Sequence, residues 1–403
     1  MATDPVVLLV EPLRRGAAHQ AFNASLVLSC HAAFPQHQLV FVAFEDHIKS
    51  LQEVLSTPLW LQFVPIPAAY ELQGKSPFNA IRQSWLIFDL VRRWPVQALL
   101  LTSVTTELLW SYRVLGLFRK RPERALAIFH AGLVAILRPR LFAGLRKWLS
   151  GWGAIMLSDK KVQFIVLESA ILQQIKQRDP LLASRFKVLP HLLPPDLLSG
   201  IHQPKEPGRS IRIGFLGLAT PQKGLLNFLR LAKVAGQHFP GDFEFDLVGR
   251  LHEDFRYLKE ECEQLTSQPV VDNVLSRKEF VERISALDFA LFLFEGGHYD
   301  LTASGVLIDC MALGIPVIAR PKPLIRQLME EAGGPIGYTC TEGEELLLLQ
   351  QLHQGLSPQL SQQFHLNLLK LAAMRRPDYL ASTLARLMPE VYLPAEAETS
   401  RLG

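Results

Sequence analysis

Short apolar runs alternate with longer amphipathic segments along most of the 403-residue chain, and this alternation constrains the fold more than any other feature. The first run, Val6–Val10, has the pattern of a strand buried on both faces, and a helical pattern follows it. Further strand candidates in the first half are residues 39–44, 98–102, 127–129 and 164–167. Because strands that alternate with helices are typical of parallel sheets covered by helices, the sequence predicts an α/β fold.

A proline-rich segment at residues 190–210 interrupts the alternation. Its five prolines fix φ and remove backbone donors, so the segment predicts an extended linker, after which a second α/β pattern begins. We therefore expect two Rossmann-like, doubly wound domains facing each other across a cleft, with ligands at the carboxyl ends of the strands. The predicted boundaries are a first domain at 1–195, a linker at 196–210, a second domain at 211–375, and a C-terminal helix and tail at 376–403, for which packing on the first domain is an option.

The composition is that of a packed globular protein, with 49% hydrophobic and 20% charged residues. The long runs without charged residues contain prolines, histidines or many glutamines, so none predicts a membrane-spanning helix. The N-terminus has no basic flank before its apolar segment, so we expect no signal peptide. Four widely spaced cysteines without a CxxC pair favour reduced core thiols. These features predict a cytoplasmic location.

The net charge of +4 hides a strong asymmetry. Residues 113–161 carry eleven basic and two acidic side chains, which leaves a net charge of −5 for the rest of the chain. Within this segment, residues 138–149 interleave cations with leucines, a phenylalanine and a tryptophan, as helices at a membrane interface do. The pattern predicts peripheral contact with an anionic membrane surface and no nucleic-acid partner. A buried helix whose charges face water is the alternative.

Several motifs of cofactor and metal sites are absent from the sequence. It contains no GxGxxG fingerprint, no Walker A phosphate loop, no GxSxG elbow and no HExxH zinc motif. It also lacks a DxD pair, which argues against sugar transfer that depends on a metal held by two carboxylates. We therefore expect no metal site.

Residues 214–224 have the pattern of a strand that ends in a glycine-containing turn before a helix. Lys223 and Gly224 lie at the mouth of that helix. Backbone amides and the positive end of a helix favour phosphate, and a lysine adds a point charge. The segment predicts a phosphate site, with a surface lysine on a turn as the alternative.

Residues 299–319 form a second motif, in which small residues precede an apolar helix. Thr302, Ser304 and Gly305 mark a helix start whose free amides can face an anion. Asp309 lies four residues after Gly305, on the same helix face and one turn deeper. A carboxylate placed there can accept hydrogen bonds from both hydroxyls of a ribose. The alternative is a solvated helix residue, which its apolar neighbours make less favourable.

Together with residues 248–249 and 314–319, these motifs resemble the C-terminal donor domain of GT-B glycosyltransferases, specifically the GT4-like retaining branch of the group 1 family. The resemblance covers residues 211–340 well and the N-terminal half only in outline. It implies that Lys223 and the amides of the following helix start bind the diphosphate of a nucleotide sugar, and that Asp309 holds its ribose. It also implies that the nucleotide diphosphate sugar is a donor substrate and that no metal or other cofactor is required.

The sequence departs from the family pattern at three positions. The first glutamate of the family's EX7E motif, which normally contacts the donor sugar, is Leu301 here, and the second is shortened to Asp309. An arginine that is usual five residues before the lysine is Leu218. Tyr299, placed before a Ser-Gly pair, resembles a divergent branch of the same superfamily.

Two N-terminal loops follow strand candidates and supply the remaining site residues. Gly16 matches the turn that faces acceptor and donor phosphate in GT-B enzymes, and His130 matches a histidine that faces the transferred sugar. His130 and His19 are the catalytic candidates; the alternatives are a structural role for His130 and a helix-start role without chemistry for His19. The expected donor-binding residues are Gly16, Lys223, Gly224, Tyr299, Thr302, Ser304, Gly305 and Asp309.

The resemblance and the charge pattern lead to one predicted function. The chain is expected to be a hexosyltransferase that moves a sugar from a nucleotide diphosphate sugar to a lipid-linked or envelope polysaccharide acceptor, at the inner face of the cytoplasmic membrane. Retention of configuration is implied by the resemblance alone. A catalytically silent protein of the same fold, which binds a nucleotide sugar or a partner, is the alternative from another class, and a nucleotide-sugar epimerase is the alternative among enzymes.

Overall fold

The computed structural model describes residues 4–55, 58–67, 70, 77–119, 122, 124–137, 148–198, 210–355 and 357–392. The chain forms two compact units. Unit 1 takes residues Met1–Asp196, Leu301–Ala303 and Arg375–Gly403, and unit 2 takes Leu197–Asp300 and Ser304–Met374. Most of the predicted linker, residues 199–209, lies outside the described residues.

Unit 1 is built on a seven-stranded sheet in the order β3-β2-β1-β4-β5-β6-β7, in which every neighbouring pair is parallel. Its strands are β1 (Val6–Val10), β2 (Gln38–Ala43), β3 (Leu61–Pro65), β4 (Val96–Leu101), β5 (Arg124–Phe129), β6 (Val162–Val166) and β7 (Phe186–Val188). Its first helices are α1 (Gln20–Ala33), α2 (Glu45–Val54), α3 (Pro77–Arg93), α4 (Thr106–Leu115), α5 (Leu133–Ile136), α6 (Gly151–Met156), α7 (Ser169–Arg178) and α8 (Pro180–Ala183).

Strand β1 shows why this sheet is covered on both faces. All five of its residues are buried; Val6, Leu8 and Val10 belong to one hydrophobic core, and Val7 and Leu9 to another. Successive side chains of a strand point to opposite faces, so a continuous apolar run requires a core on each side. The strand order reverses between β1 and β4, which is where a doubly wound sheet opens a crevice at its carboxyl edge.

Unit 2 repeats this architecture on a parallel five-stranded sheet in the order β12-β11-β10-β8-β9. Its strands are β8 (Ile211–Ala219), β9 (Phe243–Leu251), β10 (Phe289–Phe292), β11 (Val317–Ala319) and β12 (Gly337–Thr339). Its helices are α9 (Leu225–His238), α10 (Lys259–Leu265), α11 (Arg277–Ser285), α12 (Gly305–Leu313), α13 (Pro323–Ala332), α14 (Glu345–His353) and α15 (Pro358–Ala373).

The chain ends with two helices that belong to unit 1, α16 (Pro377–Leu387) and α17 (Pro389–Tyr392). Leu380 and Leu384 of α16 are buried in the same core as Phe22 and Leu26 of α1. Burial of leucines on one face of α16 stabilises the position of this C-terminal helix against α1 by the hydrophobic effect. The C-terminal segment is therefore an integral part of unit 1.

The predicted α/β two-domain fold is confirmed by these two parallel sheets and their helices. All four cysteines are buried and unpaired, and burial raises the pKa of Cys262 and Cys340 to about 11, so both remain thiols at neutral pH. Among the described helices, none is both long and apolar enough to cross a membrane.

Candidate functional site

Two glycines, Gly217 within the end of β8 and Gly224 in the turn that follows it, shape this region. Gly217 has φ +81°, and a Cβ added there would lie 3.2 Å from Lys223 Nζ. Gly224 has φ +90°, and a Cβ there would lie 2.2 Å from the carbonyl oxygen of Leu293. Only glycine adopts these conformations without strain and permits such close approach. The glycines therefore bring the Lys223 ammonium over the end of β8 and hold its turn against the loop after β10.

Lys223 ends the short 3-10 helix Pro221–Lys223 and is half-buried. Within the described residues, no hydrogen bond or ion pair engages its Nζ atom. Burial lowers the pKa of Lys223 to about 8, so the amine is still mostly protonated at neutral pH. A partly desolvated cation without a counterion is a candidate binding group for an anion.

The start of α12 lies beside this lysine. Ser304 occupies the N-cap position with 7% exposure, and its side chain makes no capping hydrogen bond. A Cβ on Gly217 would lie 3.6 Å from Val306 Cγ1, so the first turn of α12 is next to the same glycine as Lys223. The structure thus places Lys223 and the first turn of α12, which begins with Ser304 and Gly305, beside the same glycine. Thr302 is half-buried and belongs to unit 1.

Asp309 is buried on α12 with 5% exposure and paired with a cation. Its Oδ1 accepts a hydrogen bond from Arg277 Nη2 at 2.8 Å. Arg277 is the first residue of α11, whose start is fixed by the capping box of Ser276 and Glu279. The alternative of a solvated Asp309 is therefore wrong, and its partner Arg277 is a site residue that the sequence analysis missed.

The loop after β10 contains Tyr299. It lies where the strand order of the smaller sheet reverses, between β8 and β10. The Tyr299 ring stacks on Phe294 with 3.8 Å between ring centroids, and burial raises its pKa to about 12, so it stays a neutral phenol. The Glu295 backbone N–H donates to the Gln222 carbonyl at 3.0 Å, and Asn227 Nδ2 donates to Glu295 Oε1 at 2.8 Å. These bonds tie the loops after β8 and β10 together.

Leu301, at the position of the expected first glutamate, is a core residue. It is 1% exposed and belongs to the hydrophobic core of unit 1. An ionised carboxylate in such surroundings would lose its hydration without gaining a partner. The departure from the EX7E pattern is therefore part of how this chain packs.

In unit 1, the loop after β1 is organised by Glu11, a residue that the sequence analysis missed. Its carboxylate is fully buried and bridges β1 to β4 by accepting hydrogen bonds from Thr102 Oγ1 at 2.8 Å and Ser103 Oγ at 2.7 Å. It also accepts from the backbone N–H groups of Leu13 and Arg14. A buried carboxylate with this many donors holds the ends of β1 and β4 together at the carboxyl edge of the sheet.

Gly16 lies in the same loop in a left-handed conformation, with φ +50°. Its backbone N–H donates to Asp46 Oδ2 at 3.0 Å, and its carbonyl oxygen lies 2.7 Å from His47 Nδ1. Both polar groups of the Gly16 backbone thus have partners in unit 1, and the amide expected to face phosphate is already bonded to a carboxylate.

The two catalytic candidates meet at the carboxyl edge of the larger sheet. The rings of His19 and His130 have centroids 4.2 Å apart, and His130 Nε2 lies 3.0 Å from the Thr102 carbonyl oxygen. His19 has φ +63°, which among the described non-glycine residues occurs only here. Its Nδ1 atom is buried without a hydrogen-bond partner in the described part of the chain. Backbone strain together with an unpaired polar atom is typical of a functional position.

A third histidine completes this cluster. His191 follows β7, and its ring makes an edge contact with Phe22, which also contacts His130. Burial is the main cause that lowers the pKa of His19 to about 3, that of His191 to about 4 and that of His130 well below its usual value. All three rings are neutral at pH 7 and can act as hydrogen-bond partners but not as fixed charges. The position directly after a strand was the signal for His130, whereas His191 lies three residues beyond the end of β7 and lacks that signal.

The described residues contain no group of three or more histidine, cysteine, aspartate or glutamate side chains that could hold a metal ion.

Comparison with known proteins identifies the fold. No family model matches the chain, and neither does any curated protein. Among solved structures, a glycosyltransferase from Rickettsia africae ESF-5 matches with a TM-score of 0.68 at 12% identity, over 97% of this chain and 99% of its own. Anabaena Alr3699/HepE in complex with UDP and glucose matches with a TM-score of 0.62 at 15% identity, over 96% and 100% of the two chains.

A third structure, WaaG, a glycosyltransferase involved in lipopolysaccharide biosynthesis, matches with a TM-score of 0.61 at 13% identity, over 95% of this chain and 99% of its own. Identities this low establish similarity of fold only. The chain therefore shares the two-domain GT-B architecture of these glycosyltransferases, as its sequence predicts.

Proposed function

We propose that the protein is a glycosyltransferase that uses a nucleotide diphosphate sugar as donor. The observation that carries the proposal is the half-buried Lys223 ammonium, which has no counterion among the described residues and lies next to Gly217, as does the uncapped start of α12. A lysine and helix-start amides together form a site for an anion with several oxygens, such as a diphosphate. The fold adds support, since this architecture is that of the glycosyltransferases described above.

The chemistry that this site would supply is stabilisation of the leaving group. When the bond between the sugar and the diphosphate breaks, negative charge grows on the diphosphate oxygens. Lys223 and the amides at Ser304 and Gly305 would stabilise this charge more strongly than they stabilise the ground state, and such differential binding lowers the barrier. This role requires neither a metal nor a cofactor.

Uridine diphosphate sugars are the first donors to test. The structural relative HepE is described in complex with UDP and with UDP-glucose, which supports a nucleotide of this type for the present chain. Asp309 would accept hydrogen bonds from the ribose hydroxyls, and its hydrogen bond from Arg277 would hold the carboxylate in place. Tyr299, a buried neutral phenol stacked on Phe294, would form part of the same binding region.

The histidine cluster of unit 1 would bind a sugar rather than a charged group. His19 and His130 are neutral, and the bond of His130 Nε2 to the Thr102 carbonyl leaves its Nδ1 as an acceptor for a hydroxyl. We propose that these two rings contact the hydroxyls of the transferred sugar.

The acceptor is proposed to be lipid-linked or an envelope polysaccharide, with the enzyme peripheral on the inner face of the cytoplasmic membrane. The support is the excess of basic residues at 113–161 and the fold relative that is involved in lipopolysaccharide biosynthesis. Residues 138–147 of the proposed interfacial helix lie outside the described residues. Transfer of a hexose with retention of configuration is proposed from the sequence resemblance.

The test is donor binding and turnover by wild type and by Lys223→Met. We expect Lys223→Met to weaken UDP binding by at least about tenfold, because it removes a charge-assisted contact while keeping the length of the side chain. Lys233→Met is the matched control, since Lys233 is exposed and paired with Glu261, and it should bind UDP as wild type does. Equal UDP affinity for all three proteins would contradict the proposal.

The second candidate is a catalytically silent nucleotide-binding protein. It is favoured by Leu301, a core residue at the position where the family pattern has a glutamate. Turnover of a panel of nucleotide sugars with membrane extract as acceptor separates the two. A wild type that binds UDP and turns over no donor would favour the silent protein. Conversion of the donor without acceptor into an isomeric nucleotide sugar would indicate an epimerase.

A further inference from the structure

Exposed apolar side chains are concentrated on three neighbouring helices of unit 1. Of the seventeen large hydrophobic side chains exposed in the described part of the chain, nine lie on α3, α4, α6 or the residues that flank them. These nine are Phe78, Ile81, Trp85, Val114, Leu117, Phe118, Trp148, Leu149 and Leu157. Single exposed apolar residues are normal, whereas a cluster indicates an interaction surface.

Helices α3 and α4 pack against each other, and this packing determines which of their faces remains exposed. Ser84 Oγ and Ser111 Oγ are 2.5 Å apart, and the rings of Phe88 and Tyr112 stack between the two helices. The remaining apolar side chains of α3 recur at intervals of three and four residues, which places them on one outer face. We call the exposed set Phe78, Ile81, Trp85, Val114, Leu117 and Phe118 the α3–α4 apolar face.

Cations accompany this face. The Arg119 guanidinium lies over the Trp85 ring at 4.2 Å from its centroid, so a residue that follows α4 contacts the exposed side of α3. Residues 77–161 carry fourteen basic and four acidic side chains, a net charge of +10, while the rest of the chain carries −6. In sequence, the residues of the apolar face therefore all lie within this positively charged segment.

We propose that the α3–α4 apolar face docks on an anionic lipid bilayer. Aromatic and aliphatic side chains would enter the boundary between headgroups and acyl chains, and Arg119 and other cations of the segment would meet anionic headgroups. A second copy of the chain is a poor occupant, because it would bring together two segments that each carry a net charge of +10 and repel each other. Nucleic acid is also a poor occupant, since it offers no apolar phase for Phe78, Leu117 and Phe118.

This docking surface extends the proposed function, because it would bring the enzyme to a lipid-linked acceptor. It depends on that function only for its biological purpose, since binding of vesicles requires neither donor nor turnover. Helix α3 lies outside the basic segment 113–161 on which the sequence-based membrane prediction rests.

Flotation of the full chain with vesicles tests the proposal. Wild type should float with vesicles that contain phosphatidylglycerol, should float less with phosphatidylcholine alone, and should release as salt is raised. Leu117→Ser with Phe118→Ser should lower partition into the vesicles at least about tenfold, because the variant lacks two apolar side chains that would move from water into the lipid. Arg119→Gln should weaken binding to the anionic vesicles about fivefold.

A matched control uses exposed apolar residues elsewhere in unit 1. Leu181 and Tyr379 are 58% and 56% exposed, comparable with the 66% of Leu117 and the 81% of Phe118. Leu181→Ser with Tyr379→Ser should float as wild type does. UDP binding without vesicles, measured on every variant, should be unchanged, so a failure of the proposed function appears in that assay and not in flotation.

Three results would overturn the proposal. The first is a wild type that stays unbound with phosphatidylglycerol vesicles at low salt. The second is an equal loss of flotation in the Leu181 and Tyr379 control. The third is a wild-type dimer that the Leu117 and Phe118 substitutions convert to a monomer without changing flotation, which would assign the face to a second copy.

Discussion

Burial decides the charge of the candidate site residues. It lowers the pKa of Lys223 to about 8 and that of His19 to about 3, but at pH 7 these shifts have opposite consequences. Lys223 remains mostly an ammonium, whereas His19 and His191 are neutral. The proposed anion site of unit 2 therefore carries a charge, and the histidine cluster of unit 1 provides only hydrogen bonds.

The lowered pKa of Lys223 makes nucleotide affinity depend on pH. Above its pKa of about 8 the free protein loses the lysine proton, whereas a bound diphosphate favours the protonated form. We expect UDP affinity of wild type to fall by up to about tenfold per pH unit as the pH rises above that value. Titration calorimetry over this range measures the change.

Two substitutions at the same position control this experiment. Lys223→Met has no proton to lose, so its weaker binding should be independent of pH. Lys223→Arg keeps its charge throughout the range and should also show no decline. A wild type whose affinity declines with the same slope as that of Lys223→Met would show that another group titrates.

The helices and strands follow the hydrophobic pattern except at three of the four sheet edges. The hydrophobic pattern does not identify β3, β7 or β12, and each of them is an edge strand. Their residues are only partly buried, so they lack the continuous apolar run that marks a strand covered on both faces. The central strands β1, β2, β4, β5 and β6 have that run and were found.

One buried ion pair joins two elements that are distant in sequence. Arg375 Nη2 lies 3.1 Å from Glu168 Oε2, with both side chains 2% exposed, so the residue before α7 is tied to the segment that leads into α16. Arg375→Met should lower the free energy of unfolding by about 3–5 kcal/mol, because it leaves the Glu168 carboxylate buried without this cation. Urea denaturation followed by circular dichroism measures the loss.

The double variant Glu168→Gln/Arg375→Met is the control for this pair. It also removes the buried charge of Glu168, so it should be more stable than Arg375→Met alone. A double variant that is less stable than the single one would mean that the carboxylate has other favourable partners that outweigh the lost ion pair.

At the scale of the whole molecule, three residues cross from one unit to the other in sequence. Leu301–Ala303 belong to unit 1, although the chain on both sides of them belongs to unit 2. The position that carries a donor-binding glutamate in the family pattern is thereby committed to the core of unit 1. Because that position lies in the core, a glutamate placed there should not restore a donor-binding site.

We expect Leu301→Glu to lower the free energy of unfolding by about 3 kcal/mol or more at pH 8, since it buries a carboxylate among apolar side chains. Burial raises the folded-state pKa of such a glutamate above its unfolded value, so the destabilisation should decrease as the pH falls and the group becomes protonated in both states. Urea denaturation at acidic and at basic pH measures this difference. Leu301→Met is the control and should cost little, because its volume is similar; an equally stable Leu301→Glu would show that the position is open to water.

The sequence by itself determined the α/β class, the two-domain organisation, the place of Lys223 in the turn after β8 and of Gly305 at the start of α12, and the proximity of His19 to the end of a sheet. These features depend on local periodicity and on short motifs, which are properties of neighbouring residues. Only the tertiary structure decided that Arg277 pairs with Asp309, that Glu11 clamps β1 to β4, and that His191 joins the histidine cluster. Each of these contacts joins residues that follow different strands or begin different helices, and strand order, which brings them together, leaves no local trace in the sequence.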